Sequence, residues 1–309
     1  MKYAIVGCGA VGIYYGGRLA EAGNEVHFLF NSDYDFVREN GLNIKSINGD
    51  FILTNVNAYK DPAQMPKCDV ILVCLKTINN HILNSILPHI IDKNSTVVLI
   101  QNGLNLEQEL AKSFPTIGII GGMAFICSNK VGKGAINHLD YGKLTLGVFQ
   151  NVDDTTFSKI CFDFESSGVP IEKSDNLLHS RWKKLVWNIP YNGMTVILNT
   201  TTDALMKNPK SRQLIYDLML EVIDAANFCG ANIDKEFADQ MMVYTDNMRP
   251  YNPSMKLDFD YMRPLEIKAI YSNPIKSAKE NGFVMKKTQV LEQQLSFINP
   301  KNLEKKEVL

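Results

Sequence analysis

The chain lacks most of the signals that mark a metal enzyme, a secreted protein or a membrane protein. Its 309 residues include only five histidines, scattered with no H-E-x-x-H or comparable ligand spacing, so no structural or catalytic metal is expected. The cysteines Cys8, Cys68, Cys74, Cys127, Cys161 and Cys229 form no C-x-x-C pair. Cys8 and Cys74 sit in or beside apolar strand patterns, where a thiol behaves as a small hydrophobe, and disulfides are the less expected reading in a reducing cytosol. No apolar run reaches the roughly 18 to 20 residues that a membrane-spanning helix needs, and the first residues read as a domain strand rather than a signal peptide. A formal net charge of -1 gives no electrostatic reason to expect nucleic acid or an anionic membrane as a partner. Internal repeats and low-complexity segments are absent as well. The remaining composition, 45% hydrophobic and 21% charged, is that of an ordinary globular protein. Its length predicts two domains.

What is present is concentrated first at the N-terminus. Met1 to Val6 reads as a short buried strand, Ile13 to Ala22 as a helix, and Gly7-Cys8-Gly9-Ala10-Val11-Gly12 lies between them. This is the G-x-G-x-x-G fingerprint in its strand–turn–helix context. Gly7 allows the tight turn, Gly9 lets backbone approach a pyrophosphate, and Gly12 lets the helix pack closely on the strand. The free N–H groups of the helix then face the phosphates. The alternative is a glycine-rich turn with no ligand. The fingerprint assigns a cofactor class and leaves the substrate open.

The first half of the chain alternates strand and helix signals. Strand patterns occur at Glu25 to Phe30, Asp69 to Leu75, Ser95 to Ile100 and Ile117 to Ala124. Asp69 to Leu75 is continuously apolar, as a strand buried on both sheet faces should be. Helical patterns cover Asn79 to Ile91 and Leu106 to Phe114. Such alternation implies a parallel sheet covered by helices. From Gly134 to Val148 short alternating segments, with Gly142 at a turn, predict antiparallel strands at the sheet edge. Thr155 to Ser166 and Val169 to Glu172 read as a last helix and strand. Beyond about Asn176 the pattern is helical, with amphipathic spacing in Ser211 to Phe228, Lys235 to Tyr244 and Pro264 to Asn281. A domain boundary is expected near residue 175, giving domains 1–175 and 176–309. Lys301 to Leu309 are polar and expected to fray.

Three sets of residues have the position or spacing for chemistry. Lys76 and Asn102 follow apolar strands, and ligands of open α/β sheets bind outside the carboxyl ends of the strands; ordinary loop polarity is the competing reading. Lys184, Asn188 and Asn192 are spaced i, i+4, i+8, which lines up one cation and two amides on a helix face. Amides favour caps over helix interiors, so this register calls for a reason, such as a substrate bearing a carboxylate and a carbonyl; a solvated helix face is the alternative. Pro190 lies between the two amides, where it would kink the helix. Ser254 opens a helical pattern, and Glu266 lies on the pattern after Pro264, where a solvated charge is the ordinary role.

Taken together these motifs resemble the ketopantoate reductase (2-dehydropantoate 2-reductase) family over nearly the whole chain. Gly7 to Gly12 is similar to the family's GxGAxG, and Leu75-Lys76-Thr77 and Gln101-Asn102-Gly103 resemble its strand-end motifs. Trp182-x-Lys184-Leu185-x-x-Asn188-x-x-x-Asn192-x-Met194-Thr195 resembles WxKLxxNxxxNxLT, the most specific of the set. Ser254-Met255-x-x-Asp258 with Glu266 resembles the C-terminal motif, and His138 the family's histidine in an edge hairpin. The resemblance implies that Lys184 is the general acid protonating the carbonyl oxygen as hydride arrives. Glu266 would position the lysine and a substrate hydroxyl or cofactor ribose. Asn102 would contact nicotinamide and substrate; Asn188, Asn192 and Ser254 would hold the substrate carboxylate and hydroxyl; Lys76 would lie near the cofactor ribose. A lysine ammonium stabilises the charge that hydride transfer builds on oxygen.

The chain departs from the family at several positions. NADPH-preferring members commonly carry Arg after the second strand, whereas Phe30-Asn31-Ser32-Asp33-Tyr34 stands here. Asn31 and Ser32 can hydrogen-bond a phosphate, while Asp33 would oppose it if turned toward it. NADPH (NADP) is therefore the family expectation, with NAD (NADH) left open. Thr202 stands where a further family Asn is looked for, and Gly193 and Met194 replace the commoner Pro-Leu. The expected protein is an α/β enzyme with an N-terminal Rossmann-type doubly wound sheet and an all-helical C-terminal substrate domain. Its partner is a small 2-oxo acid, with 2-dehydropantoate the expected substrate; neither nucleic acid nor membrane is expected. It is expected to be cytoplasmic, with a homodimer left open. The alternatives are a reductase of another 2-oxo or 3-oxo acid and a non-catalytic nucleotide sensor, against which the presence of both Lys184 and Glu266 argues.

Overall fold

The structure, a computed structural model, describes residues 1–248 and 252–300. Lys301 to Leu309, where fraying is expected, lie outside the described residues. Two compact units are present, one of residues 1–101 and 106–177, the other of 102–105 and 178 onward. The sequence places the boundary at 175; the chain crosses between units after Leu177, and also hands the four residues Asn102–Asn105 to the second unit. No helix among the described residues is long and apolar enough to cross a membrane.

The first unit carries β1 (Lys2–Val6), β2 (Glu25–Leu29), β3 (Leu42–Ser46), β4 (Phe51–Leu53), β5 (Asn57–Tyr59), β6 (Val70–Val73), β7 (Thr96–Ile100), β8 (Gly118–Gly132), β9 (Ala135–Gln150) and β10 (Ile171–Lys173). They form one sheet in the order β4-β3-β9-β8-β7-β6-β1-β2-β5, with β10 beside β9. Helices α1 (Ala10–Glu21), α2 (Tyr34–Asn40), α3 (Leu83–Ile90), α4 (Leu106–Ser113) and α5 (Asp154–Ser166) belong to the same unit. The central strands β1, β2, β6 and β7 pair in parallel, and β6 and β7 are buried along their whole length. Their unbroken apolar runs are the pattern a doubly covered parallel strand requires. Register sets Val6 beside both Leu29 and Val73, and Val73 beside Leu99. The chain therefore leaves β1, β2, β6 and β7 along a common carboxyl edge, and Gly7, Asn31 and Lys76 all follow from it.

The expected short strands at the sheet edge are corrected. β9 is one 16-residue strand, antiparallel to β8 and flanked on its other side by β3, so it lies inside the sheet. The reversal of chain direction falls at Lys133–Gly134. Tyr141 (φ +62°) and Gly142 (φ +116°) instead form a bulge, where pairing jumps from Phe125–Lys143 to Ile126–Tyr141. A bulge and a turn call for the same residue types, so alternation cannot tell them apart. The segment read as one helix from Asn79 begins as a 3-10 turn, Thr77–Ile82, before α3.

The second unit contains α6 (Leu177–Ile197, whose first residue belongs to the first unit), α7 (Thr202–Lys207), α8 (Pro209–Phe228), α9 (Glu236–Asp246), α10 (Ser254–Asp260), α11 (Asn273–Glu280) and α12 (Lys286–Ile298), with a π-helical turn at Lys268–Ser272. Trp182, Leu185, Ile189, Met219, Tyr271 and Leu295 are among its fully buried core. α6 continues as helix through Pro190, and the Tyr271 hydroxyl donates to the Ile189 carbonyl at 2.9 Å. Pro264 to Glu266, read as helical, are not; helix begins at Ile267. Proline has no N–H to extend a preceding turn, and the next helical hydrogen bond runs from the Ile270 N–H back to the Glu266 carbonyl.

Candidate active site

In the first unit, the glycine turn leads into α1 as the fingerprint requires. A Cβ on Gly12 would lie 2.2 Å from the Gly7 carbonyl, so helix and turn meet backbone to backbone. A Cβ on Gly9, the N-cap, would meet nothing within 4 Å. No side chain caps α1, and its first turn holds no acid. The first turn thus has no capping side chain and no negative charge of its own, which fits a pyrophosphate. Cys8 anchors the turn, its thiol donating to the Leu29 carbonyl at the end of β2 (3.3 Å).

Lys76 is half-buried at the start of the 3-10 turn after β6. Gln101, which the strand-end motif includes without assigning it a role, holds that loop in place. Its amide donates to the Leu75 carbonyl (2.7 Å) and exchanges hydrogen bonds with the Asn80 amide (2.6 and 3.1 Å). Asn31 and Ser32 are exposed after β2. Asp33, by contrast, is buried. It is 4% exposed and accepts from the Gly134 N–H (3.0 Å) and the Ser32 hydroxyl (3.0 Å). His138 is buried and structural. Ser46 Oγ lies 2.8 Å from its Nδ1, and the Asp140 and Tyr141 carbonyls lie 3.0 and 3.1 Å from Nε2. Carbonyls only accept, so Nε2 carries the proton, and burial lowers the pKa of the ring.

In the second unit, α6 aligns Lys184, Asn188 and Asn192 at one-turn intervals of about 6 Å along the axis. Trp182, Leu185, Val186 and Ile189 take the core-facing positions. Both amides are buried, Asn192 to 2% exposure, and its Oδ1 has no hydrogen-bond partner. An orphaned buried acceptor costs about 1–3 kcal/mol, a cost that a donor from a ligand would remove. Lys184 is half-buried, and its pKa is lowered to about 7: burial is the main cause, the neighbouring Arg181 guanidinium adds to it, and Glu266 works in the opposite direction. Arg181 had no motif to mark it. It is buried three residues before Lys184, on the same side of the helix.

Glu266 is 5% exposed and directly precedes the helix; its carbonyl accepts from the Ile270 N–H. The same segment holds the Asn102 turn. Gly103 has φ +116°, and a Cβ there would lie 2.6 Å from the Ala269 carbonyl oxygen. The Leu104 N–H donates to Ala269 (3.0 Å), the Asn273 amide to the Leu104 carbonyl (2.7 Å), and the Asn105 amide to Ser277 (2.9 Å). Asn102 therefore rides on the stretch that starts at Glu266. Ser254 is half-buried as the first residue of α10, and Thr202 is buried at the start of α7. Among the described residues no group of three or more His, Cys, Asp or Glu could hold a metal ion. A lysine near neutrality beside buried amides and a buried carboxylate can give a proton to a developing alkoxide and hold a small polar acid.

Comparisons with known proteins identify the family. Residues 3–151 match the family described as ketopantoate reductase PanE/ApbA, and residues 176–299 match its C-terminal counterpart. A 2-dehydropantoate 2-reductase from Nostoc sp. is 49% identical over 306 residues, covering 97% of this chain and 96% of the relative. The crystal structure of 2-dehydropantoate 2-reductase from Geobacter metallireducens has a TM-score of 0.93 at 38% identity, covering 96% of this chain and 99% of its own. A dimeric ketopantoate reductase from Staphylococcus aureus, 21% identical with a TM-score of 0.83 over 98% of this chain and 99% of its own, shares the fold.

Proposed function

The chain belongs to the ketopantoate reductase family, and from that premise we infer an NADPH-dependent 2-dehydropantoate 2-reductase that forms (R)-pantoate in pantothenate and coenzyme A synthesis. When bound, the reduced nicotinamide supplies the hydride that reaches the 2-oxo carbon. The rest falls to the chain. The Lys184 ammonium stabilises the charge growing on the carbonyl oxygen and transfers a proton from Nζ to it, leaving a neutral amine that solvent reprotonates. Glu266 holds Lys184 in place and takes a substrate or ribose hydroxyl. Asn188, Asn192 and Ser254 would hold the substrate carboxylate and hydroxyl, and Asn102 would contact both substrate and nicotinamide. Gly7 to Gly12 would hold the cofactor's pyrophosphate, Lys76 would lie near its ribose, and Asn31 and Ser32 would meet the 2′ position.

The observation that carries these assignments is Lys184, brought to about 7 on the same helix face as buried Asn192, whose Oδ1 lacks a partner. Thr202, buried where the family pattern has Asn, is the residue that would favour a different 2-oxo acid. Cofactor oxidation assayed with ketopantoate beside a panel of 2-oxo acids, using NADPH and NADH in parallel, tests the reading. Ketopantoate should give the highest kcat/KM; turnover no better than the panel's removes the substrate assignment. A homodimer and cytoplasmic residence belong to the same proposal. The S. aureus relative is dimeric, and all six cysteines here are free thiols, as suits a reducing compartment. Light scattering giving only monomer mass would remove the dimer.

A further inference from the structure

We propose that Lys130, at the tip of the β8–β9 hairpin, is the cation that receives the 2′-phosphate of NADPH in this chain, in place of an arginine after β2. The proposal rests on the NADPH reading above. A 2′-phosphate carries up to two negative charges, and the end of β2 offers only the neutral Asn31 and Ser32. The Lys130 ammonium lies 2.7 Å from the Asp33 carboxylate, so the hairpin brings a positive charge to the loop that follows β2. Its side chain is 35% exposed, open to a ligand. One of its three N–H donors serves Asp33, leaving others for an anion.

Asp33 is the residue that would favour NADH, since a carboxylate there accepts from a free ribose hydroxyl. Here it is withdrawn. Burial works against its charge, but Lys130, the Gly134 N–H and the Ser32 hydroxyl together hold its pKa below the usual carboxylate range. Its oxygens are occupied, and it acts as the anchor that aims Lys130. The pair also lies within electrostatic reach of the glycine turn. The Cys8 thiol, pushed up chiefly by burial, is drawn down by Lys130 and pushed up by Asp33. Lys133, exposed on the same hairpin turn, adds a second positive charge at the tip.

Calorimetric titration of the full-length protein with adenosine 2′,5′-bisphosphate and with adenosine 5′-monophosphate reads the subsite without turnover. Loss of one charge-assisted hydrogen bond predicts that Lys130→Gln weakens the bisphosphate about tenfold or more while leaving the monophosphate within about twofold. Lys130→Arg, which keeps the charge, should retain the affinity. Asp33→Asn removes the acid, so Lys130→Gln on that background separates direct contact from mere shielding. A second loss of about tenfold there supports contact; affinity equal to Asp33→Asn alone overturns the proposal. Unchanged bisphosphate affinity in Lys130→Gln, or an equal loss for both nucleotides, also overturns it. If the unmodified protein binds the two nucleotides equally, the NADPH reading itself falls, and the proposal with it.

Discussion

The charges around Lys184 predict two opposite shifts of one titration. For reduction Lys184 must be protonated, so log kcat/KM should be flat below about pH 7 and fall tenfold per unit above it, following a pKa of about 7. Pantoate oxidation needs the neutral amine and should rise through the same pKa. After burial, Arg181 is the main influence lowering this value and Glu266 the one raising it. Positions three apart on a helix have Cβ atoms about 5–6 Å apart. Unit charges about 6 Å apart at an effective dielectric of ~20 interact by roughly 3 kcal/mol, or about two pKa units. Both side chains are long and can relax, so a shift of about one unit is expected. Arg181→Met should move the alkaline limb up by that amount, and Glu266→Gln should move it down. Arg181→Lys should leave it in place, which separates charge from packing. Initial rates at saturating NADPH across the neutral range, read as limb position rather than amplitude, decide it. A limb that stays put in Arg181→Met, or two variants that shift the same way, would refute the electrostatic reasoning.

Lys184→Ala should lower kcat by roughly 10²- to 10⁴-fold, the scale of lost acid catalysis, while NADPH affinity by fluorescence titration stays near that of the parent. Gly9→Ala adds a Cβ to open space, so thermal stability of the free protein should hold while NADPH binding weakens by roughly tenfold (~1.4 kcal/mol). Gly12→Ala drives a Cβ into the Gly7 carbonyl and should lower Tm as well. Asn31→Arg should raise the NADPH-to-NADH ratio of kcat/KM; an unchanged ratio would mean that residue 31 does not face the 2′ position. Gly103→Ala forces a side chain to φ +116° against Ala269 and should cost about 1–3 kcal/mol with a raised KM for ketopantoate; a parental Tm would show that the turn yields freely.

How much of this was legible in the sequence depended on the range of the contacts involved. β6, β7 and α6 were readable because burial on both faces, or on one helical stripe, leaves a local pattern. β4 and β5 went unseen because three residues cannot show a period, and β3 because its alternation of buried Leu42 and Ile44 with exposed Asn43 and Lys45 spans only five residues. Lys184, Asn188 and Asn192 were visible as a register, while Arg181 acts by charge rather than by motif. The anchoring of the Asn102 turn was hidden, since Asn273 holds Leu104 across 169 residues of chain. Lys130 was hidden likewise: nothing near Asn31 in sequence reveals a cation 2.7 Å from Asp33.

The short passage Asn102–Asn105 bears on how freely this architecture can be cut and recombined. The polypeptide enters the helical unit there, leaves at Leu106, and returns only after Leu177. A fragment ending at 177 would carry four residues whose hydrogen-bonding partners, Ala269, Asn273 and Ser277, were left behind. A chimera joining the sheet unit of one relative to the helices of another at that junction would inherit the turn from one parent and its clamp from the other. A graft that respects the structure must exchange 102–105 together with the helices, so the heritable module here is discontinuous.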